Sequence, residues 1–334
     1  MNLPAILLAI RWLIWETIRQ SLATRIFWLM LGVSVLAMLF CASVGTVDLP
    51  RYPIGDTPER LPPNDPQARD PERVTRHGVD IINGQVTLLF GAVRINTTIY
   101  REEAIRWLQL VLAGGVADTL GLLLALIWTA AFLPGFLEPA AISVLLAKPV
   151  PRWSLLTGKY LGVLVFVLLQ VGVFVVGTWL MLAVRTGVWE PRYLLCVPLL
   201  VMHFAIFFSF SCLLAVWTRS TIVCVVGSLA FWVLCWGINY GRHVAVIAVT
   251  EHAEAAVGAS WALGMGYWIL PKPFDLSYLL SQTLGASDYF PIASELQAVE
   301  RLNSLSLGAS VVSSLLFAVV MLILAGYEFL QAEY

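Results

Sequence analysis

The chain alternates apolar runs of membrane-crossing length with short polar punctuation. The first apolar stretch, residues 3–20, is broken by charge. Ile6, Ile10, Leu13, Ile14 and Ile18 recur at helical spacing, while Arg11, Arg19 and Gln20 lie elsewhere on the wheel. Trp12 and Trp15 suit a headgroup boundary, so residues 1–25 predict an interfacial helix lying on the membrane. The run at 26–47 is long enough, at about 1.5 Å per residue, to cross roughly 30 Å of hydrocarbon. Further runs at 113–133, 160–184, 193–217, 222–240 and 309–329 bring the expectation to six spans, with both chain ends on one side. The expected fold class is an all-α integral membrane protein.

Two longer segments interrupt this rhythm. In 48–112, Pro50, Pro53, Pro58, Pro62, Pro63, Pro66 and Pro71 favour extended chain. Asn83-Gly84, set between apolar runs, predicts a hairpin turn in a small β element. Residues 100–112 predict a second interfacial helix, with Tyr100, Ala104, Trp107, Leu108 and Val111 opposite Arg101, Glu102, Glu103 and Arg106. The second segment, 241–308, is too apolar for a soluble domain. Its W-A-L-G-M-G-Y-W-I-L-P-K-P at 261–273 is too short to span and suits a re-entrant or interfacial element. Were it to span, the C-terminus would change sides.

Composition confirms the solvent: 59% of residues are hydrophobic and 12% charged, which no water-soluble fold could hide. A net charge of −1 leaves no basic surface for nucleic acid. Cys41, Cys196, Cys212, Cys224 and Cys235 all lie in or beside apolar runs without C-x-x-C spacing, so neither a disulfide framework nor a metal set is expected. Arg11, Glu16, Arg19 and Arg25 interrupt the first stretch, and no cleavable signal is read there. With the N-terminus inside, the inner segments carry Arg11, Arg19, Arg25, Lys148, Arg152, Lys159 and Arg219, against Arg185 and Arg192 in the short outer turn. That asymmetry favours cytoplasmic termini.

Catalytic signatures are missing. There is no H-E-x-x-H and no G-x-S-x-G. Thr157-Gly158-Lys159 resembles the end of a P-loop, but Trp153 stands where that motif needs Gly, and Tyr160 where it needs Ser or Thr. If ATP drives this chain, a separate polypeptide hydrolyses it. Gln170, His203 and Asn239 are the notable polar groups in spans 3 to 5. His203 reads as a packed residue rather than a ligand. Asp118 reads as a helix-end residue rather than a functional one. So few intramembrane charges argue against a secondary carrier. A membrane-embedded enzyme or assembly factor without an ATPase partner stays open as the alternative, though no nucleophile and base can be paired.

The bridge at 134–159 joins spans 2 and 3, and from Phe136 it reads F-L-E-P-A-A-I-S-V-L-L-A-K-P-V-P-R-W-S-L-L-T-G-K. Charge alternates there with proline and paired leucines, as in a segment that docks on a partner at the membrane face. Glu138, then Leu145-Leu146, Pro149-Val150, Arg152 and Gly158-Lys159 resemble the first cytoplasmic loop of ABC-2 type exporter permeases. The family's E-R-E-x-G-T portion is replaced here by L-E-P-A-A-I-S. The six-span layout resembles the branch containing the copper-processing permease of nitrous-oxide reductase maturation, although Met, His and Cys are not clustered here. The resemblance implies a non-catalytic permease that binds no cofactor itself. Two such subunits, identical or different, would pair in the inner (plasma) membrane bilayer, each above an ABC ATP-binding subunit that uses ATP. It further implies that Glu138, Leu145, Leu146, Lys148, Pro149, Arg152 and Lys159 form an ATPase-coupling loop.

Overall fold

The computed structural model describes residues 3–47, 84–97, 101–137, 151–250, 254–285, 299 and 305–331. Helix α1 (Leu3–Ala23) and helix α2 (Arg25–Ser43) meet at Thr24, whose extended backbone breaks the helix. The two axes differ by 75°. Thr24 closes the elbow by donating from its amide and its hydroxyl to the Ser21 carbonyl, at 3.1 and 2.7 Å.

The 19 residues of α2 extend about 28 Å, close to one bilayer core. The helix stops four residues short of the expected run because Gly45–Val47 forms strand β1 instead. Gly45 pairs with Thr87 of β2 (Gly84–Leu88), which pairs on its other side with β3 (Val93–Thr97). The small β element is therefore present, but its turn is not at Asn83-Gly84. Gly84 opens the central strand opposite Thr97. With both edges of that strand paired, the reversal falls at its far end, where Leu89, Phe90 and Gly91 take φ of 52°, 57° and 92°. Only glycine adopts that region without steric cost, and Gly91 supplies it.

Helix α3 (Arg101–Leu110) passes without a break into a π-helical run (Val111–Gly121) and then α4 (Leu122–Thr129); α5 (Phe132–Phe136) follows. The expected interfacial helix at 100–112 is thus the opening of a single helical unit, with Ile105, Leu108 and Leu110 buried. No proline or polar cluster separates it from the π-helical run. Helix α6 (Arg152–Thr186) is 35 residues long, about 52 Å, and ends where Gly187 takes φ 73°. Helices α7 (Cys196–Thr218) and α8 (Thr221–Thr250) meet at Arg219, itself left-handed at φ 52°. Helix α9 (Glu254–Ile269) packs back along α8, with Gly266 against Ile238. Leu270–Lys272 turns the chain between two prolines into α10 (Pro273–Thr283), and α11 (Leu307–Gln331) closes the fold.

Among the described residues, five helices are long and apolar enough to cross a membrane, or six with the bent α1–α2 pair counted as one. The main core lies among α4 to α8 and α11. Phe210, Phe231 and Phe317 stack in series through it, and Tyr160, Phe208 and Phe204 form a second stack. The outward faces carry bare Leu, Val and Trp, as lipid solvent demands.

Candidate functional site

At the bridge end, the sequence G-K-Y-L-G explains itself. Gly158 and Gly162 lie one turn apart on α6, where α1 crosses it. A Cβ at Gly158 would come within 2.7 Å of Leu13, and one at Gly162 within 2.7 Å of Thr17. The two helices can touch only because these positions have no side chain. Lys159 stands between them and is 3% exposed. Its ammonium donates to Gln20 Oε1 at 2.7 Å, and Gln20 donates onward to Glu16 at 3.1 Å. The Phe132 and Phe136 rings lie 5.8 and 5.9 Å from that ammonium. Together these side chains line a cavity of about 300 Å³. Arg152 opens α6 and donates to the Leu330 carbonyl near the end of α11, at 3.4 Å. Both α1 and the end of α11 therefore gather beside the bridge.

At the opposite end, α10 is held by a buried polar system. Asp275 is 1% exposed. Its carboxylate accepts from Asn239 at 2.9 Å, His243 Nε2 at 2.7 Å, the Tyr267 hydroxyl at 2.6 Å and the Ser310 hydroxyl at 2.7 Å. Burial pushes this carboxyl up, but hydrogen bonding and charge from His243, with the Tyr267 and Ser310 hydroxyls, outweigh it and hold the group below the usual carboxylate range. The first turn of α10 lacks a side-chain cap of its own. Asn239, from α8, supplies it: its Oδ1 accepts from the Phe274 and Asp275 amides at 3.0 and 3.2 Å. Lys272 is buried and donates to Ser313 at 2.6 Å, with the Tyr267 ring 4.6 Å away. Burial lowers its pKa to about 8.

The second anchor of α10 is Ser277, which donates to Asp118 in the π run. Asp118 also meets His203 Nδ1 of α7 at 2.5 Å. Asp118 does not mark a helix end, since it lies inside the Ala104–Phe136 helical unit; it is 2% exposed and faces protein. His203, read as a packed residue, is packed, but against a carboxylate. No group of three or more His, Cys, Asp or Glu among the described residues could hold a metal ion.

A long bent N-terminal pair and apolar helices of membrane-crossing length agree with the family comparison, which matches ABC-2 family transporter proteins over residues 11–334. The chain belongs to this family. It is the membrane permease of an ABC-2 transporter, a non-catalytic, multi-pass subunit whose ATPase is a separate polypeptide. No curated protein matches it.

Of the permease residues expected to contact that ATPase, Glu138, Leu145, Leu146, Lys148 and Pro149 lie outside the described residues. Arg152 and Lys159 are helical rather than in a loop. Lys159 is turned inward onto α1, because an ammonium so close to Gln20 and Glu16 finds its partners within the chain. The α10 system escaped the sequence reading. The available signals were the Asn239 and His243 pair, one helical turn apart on α8, and an acid two residues after Pro273 in an otherwise apolar region.

Proposed function

We propose that the permease is the exporting membrane half of an ATP-driven transporter, with the Glu138–Lys159 bridge as the seat of its ATP-binding subunit. The observation that carries this reading is the joint at the bridge end. The described end of the bridge, from Arg152, is the first part of α6, and α1 is locked on α6 through Gly158, Gly162 and the Lys159–Gln20 contact. A push on the bridge would therefore travel along a continuous helix of about 52 Å and carry the interfacial helix with it. Glu138 and Arg152 supply charge to the partner, and the leucines supply apolar grip. The basic excess on the bridge side favours cytoplasmic termini in a plasma membrane. A second permease subunit, identical or related, completes the transport path. The six-span layout, with the bent α1–α2 pair counted as one span, also supports kinship with the copper-processing permease branch, without copper as cargo.

Co-purification with a P-loop ATPase tests the partnership. Glu138→Ala combined with Arg152→Ala should weaken coupled ATP hydrolysis while leaving membrane insertion intact. Undiminished coupling in that pair would refute the assignment of the bridge. Single cysteines at 70, 152 and 288 test the orientation: labelling at 152 by an impermeant reagent from outside would reverse it.

A further inference from the structure

Asp118 and His203 both lie within membrane-crossing helices, the first in Ala104–Phe136 and the second in Pro191–Thr218. A carboxylate there needs compensation. The two aspartates that hold α10 are compensated unequally. Asp275 receives four side-chain donors, with Lys272 and Arg242 both stacked on the neighbouring Tyr267 ring. Asp118 receives two donors, and among the described residues its only ion-pair partner is His203.

Among the described residues no other neutralising charge meets the pair: of the helices packed on α7, α6 has Lys159 bonded to Gln20 and Tyr160 to the Ala205 carbonyl, and α8 has His243 bonded to Asp275. Helices α3, α4, α7 and α10 pack on the π run. From α3 the described charge is Arg106, which is paired with Glu190 at 3.0 Å. Helix α4 has no ionisable side chain. Helix α7 brings His203 and, near enough to interact electrostatically with Asp118, Cys196. Helix α10 brings Ser277; Asp275 is bonded toward α8, and Tyr278 lies about 100° round the helix. On the other side of the His203 ring, Nε2 is buried and has no hydrogen-bond partner among the described residues. A neutral imidazole that gives its single N–H to Asp118 leaves a lone pair at Nε2, and the pair then carries a net charge of −1 in apolar surroundings.

We propose that Asp118 and His203 form an intramembrane proton-binding site whose occupancy sets how firmly α10 is held. A proton from water binds at Nε2, the imidazole becomes an imidazolium, and the pair becomes neutral overall. Neutral, it sits stably in the apolar interior and Ser277 stays docked. Without the proton, the buried negative charge draws in water and loosens α10. The π geometry supports this, since π segments in helices concentrate at functional positions.

The test uses the full-length permease with its ATP-binding subunit in lipid nanodiscs. With ¹⁵N-labelled histidine, the His203 resonances are assigned by their loss in His203→Gln and followed from about pH 9 to about pH 5, across the range where imidazoles titrate. Nε2 should acquire its proton as pH falls. In parallel, hydrogen exchange of the 273–283 amides, corrected for intrinsic base catalysis, should be at least about tenfold faster at the alkaline end. Asp118→Asn, which removes the charge but keeps the shape, should exchange slowly at every pH. An Nε2 that stays unprotonated throughout in the wild type overturns the proposal, and that reading needs no variant to fold. Fast exchange at every pH in Asp118→Asn would also overturn it, by leaving Asp118 a purely structural role.

Discussion

Gly158→Ala and Gly162→Ala are chemically identical changes on one helix face, and the structure separates their costs. Both gain about 1 kcal/mol of helix propensity. At Gly158 the incoming methyl meets the Leu13 Cδ1 end at 2.7 Å, with Leu13 Cβ at 3.3 Å. A leucine tip can rotate away, so overpacking of about 1–2 kcal/mol leaves a net cost of about 0–1 kcal/mol. At Gly162 the methyl meets Thr17 Oγ1 at 2.7 Å and Thr17 Cβ at 2.9 Å, with the Ile14 Cα at 3.3 Å. The Thr17 hydroxyl is tied to the Leu13 carbonyl at 2.8 Å, and its Cβ moves only with the backbone. Reaching ordinary carbon contact at about 3.6 Å therefore means displacing α1 by roughly 0.7 Å. That puts the overpacking near 3 kcal/mol and the net cost near 2 kcal/mol. Reversible unfolding of the purified permease in mixed micelles measures both. Thr17→Ala removes only the nearer contact, so it should restore part of the loss in Gly162→Ala. A Gly162→Ala protein as stable as wild type, or one less affected than Gly158→Ala, would refute the close crossing of α1 on α6.

Three further outcomes follow from the same geometry. Lys159→Met should leave binding of the ATP-binding subunit unchanged in a pull-down and lower coupled ATP turnover, because the ammonium faces Gln20; weakened binding would place it at the surface instead. Asn239→Ala should cost about 2–4 kcal/mol by unfolding, the sum of a lost helix cap and a lost bond to a charged carboxylate. Asn239→Asp should do worse still, since it keeps the acceptor but sets a second carboxylate against Asp275. Asp275, held below its ordinary range, contributes stability that is fully present above the unfolded carboxylate value of about 3.9 and is lost as pH falls through the folded value. The acid side of the stability profile should therefore be flatter in Asp275→Asn than in wild type. Parallel profiles would contradict that.

The membrane-crossing architecture was legible because an apolar run of about 20 residues carries its meaning along one dimension. The break in 261–273 was legible from its prolines: α9 ends at Ile269 and α10 begins at Pro273. Contacts between distant helices were not legible. His203 and Asp118 are 85 residues apart, and Asn239 and Asp275 36. The π run also changes which side chains share a face, so a wheel drawn at 3.6 residues per turn misplaces Asp118. The hairpin reversal was misjudged for a related reason: Asn-Gly is a strong local turn signal, and pairing of β2 with a strand nearly 40 residues earlier overrode it. The inward side of Lys159 depends on α1, whose position the local sequence does not encode.

The π run has a mechanical consequence. Over Val111–Gly121 the hydrogen bonds reach one residue further than in an α-helix. Handing one bond at a time back to α pitch would let the wide section creep along the helix while its neighbours stay bonded. Such creep would turn the Arg101–Leu110 end against the Leu122–Thr129 end, like a slipping screw thread. Deleting Gly115, which has open space around it, should take up that slack permanently. It should swing Arg106 by about 100° and abolish its energetic coupling to Glu190 in a double-mutant cycle. Coupling that survives the deletion would mean that the thread does not slip.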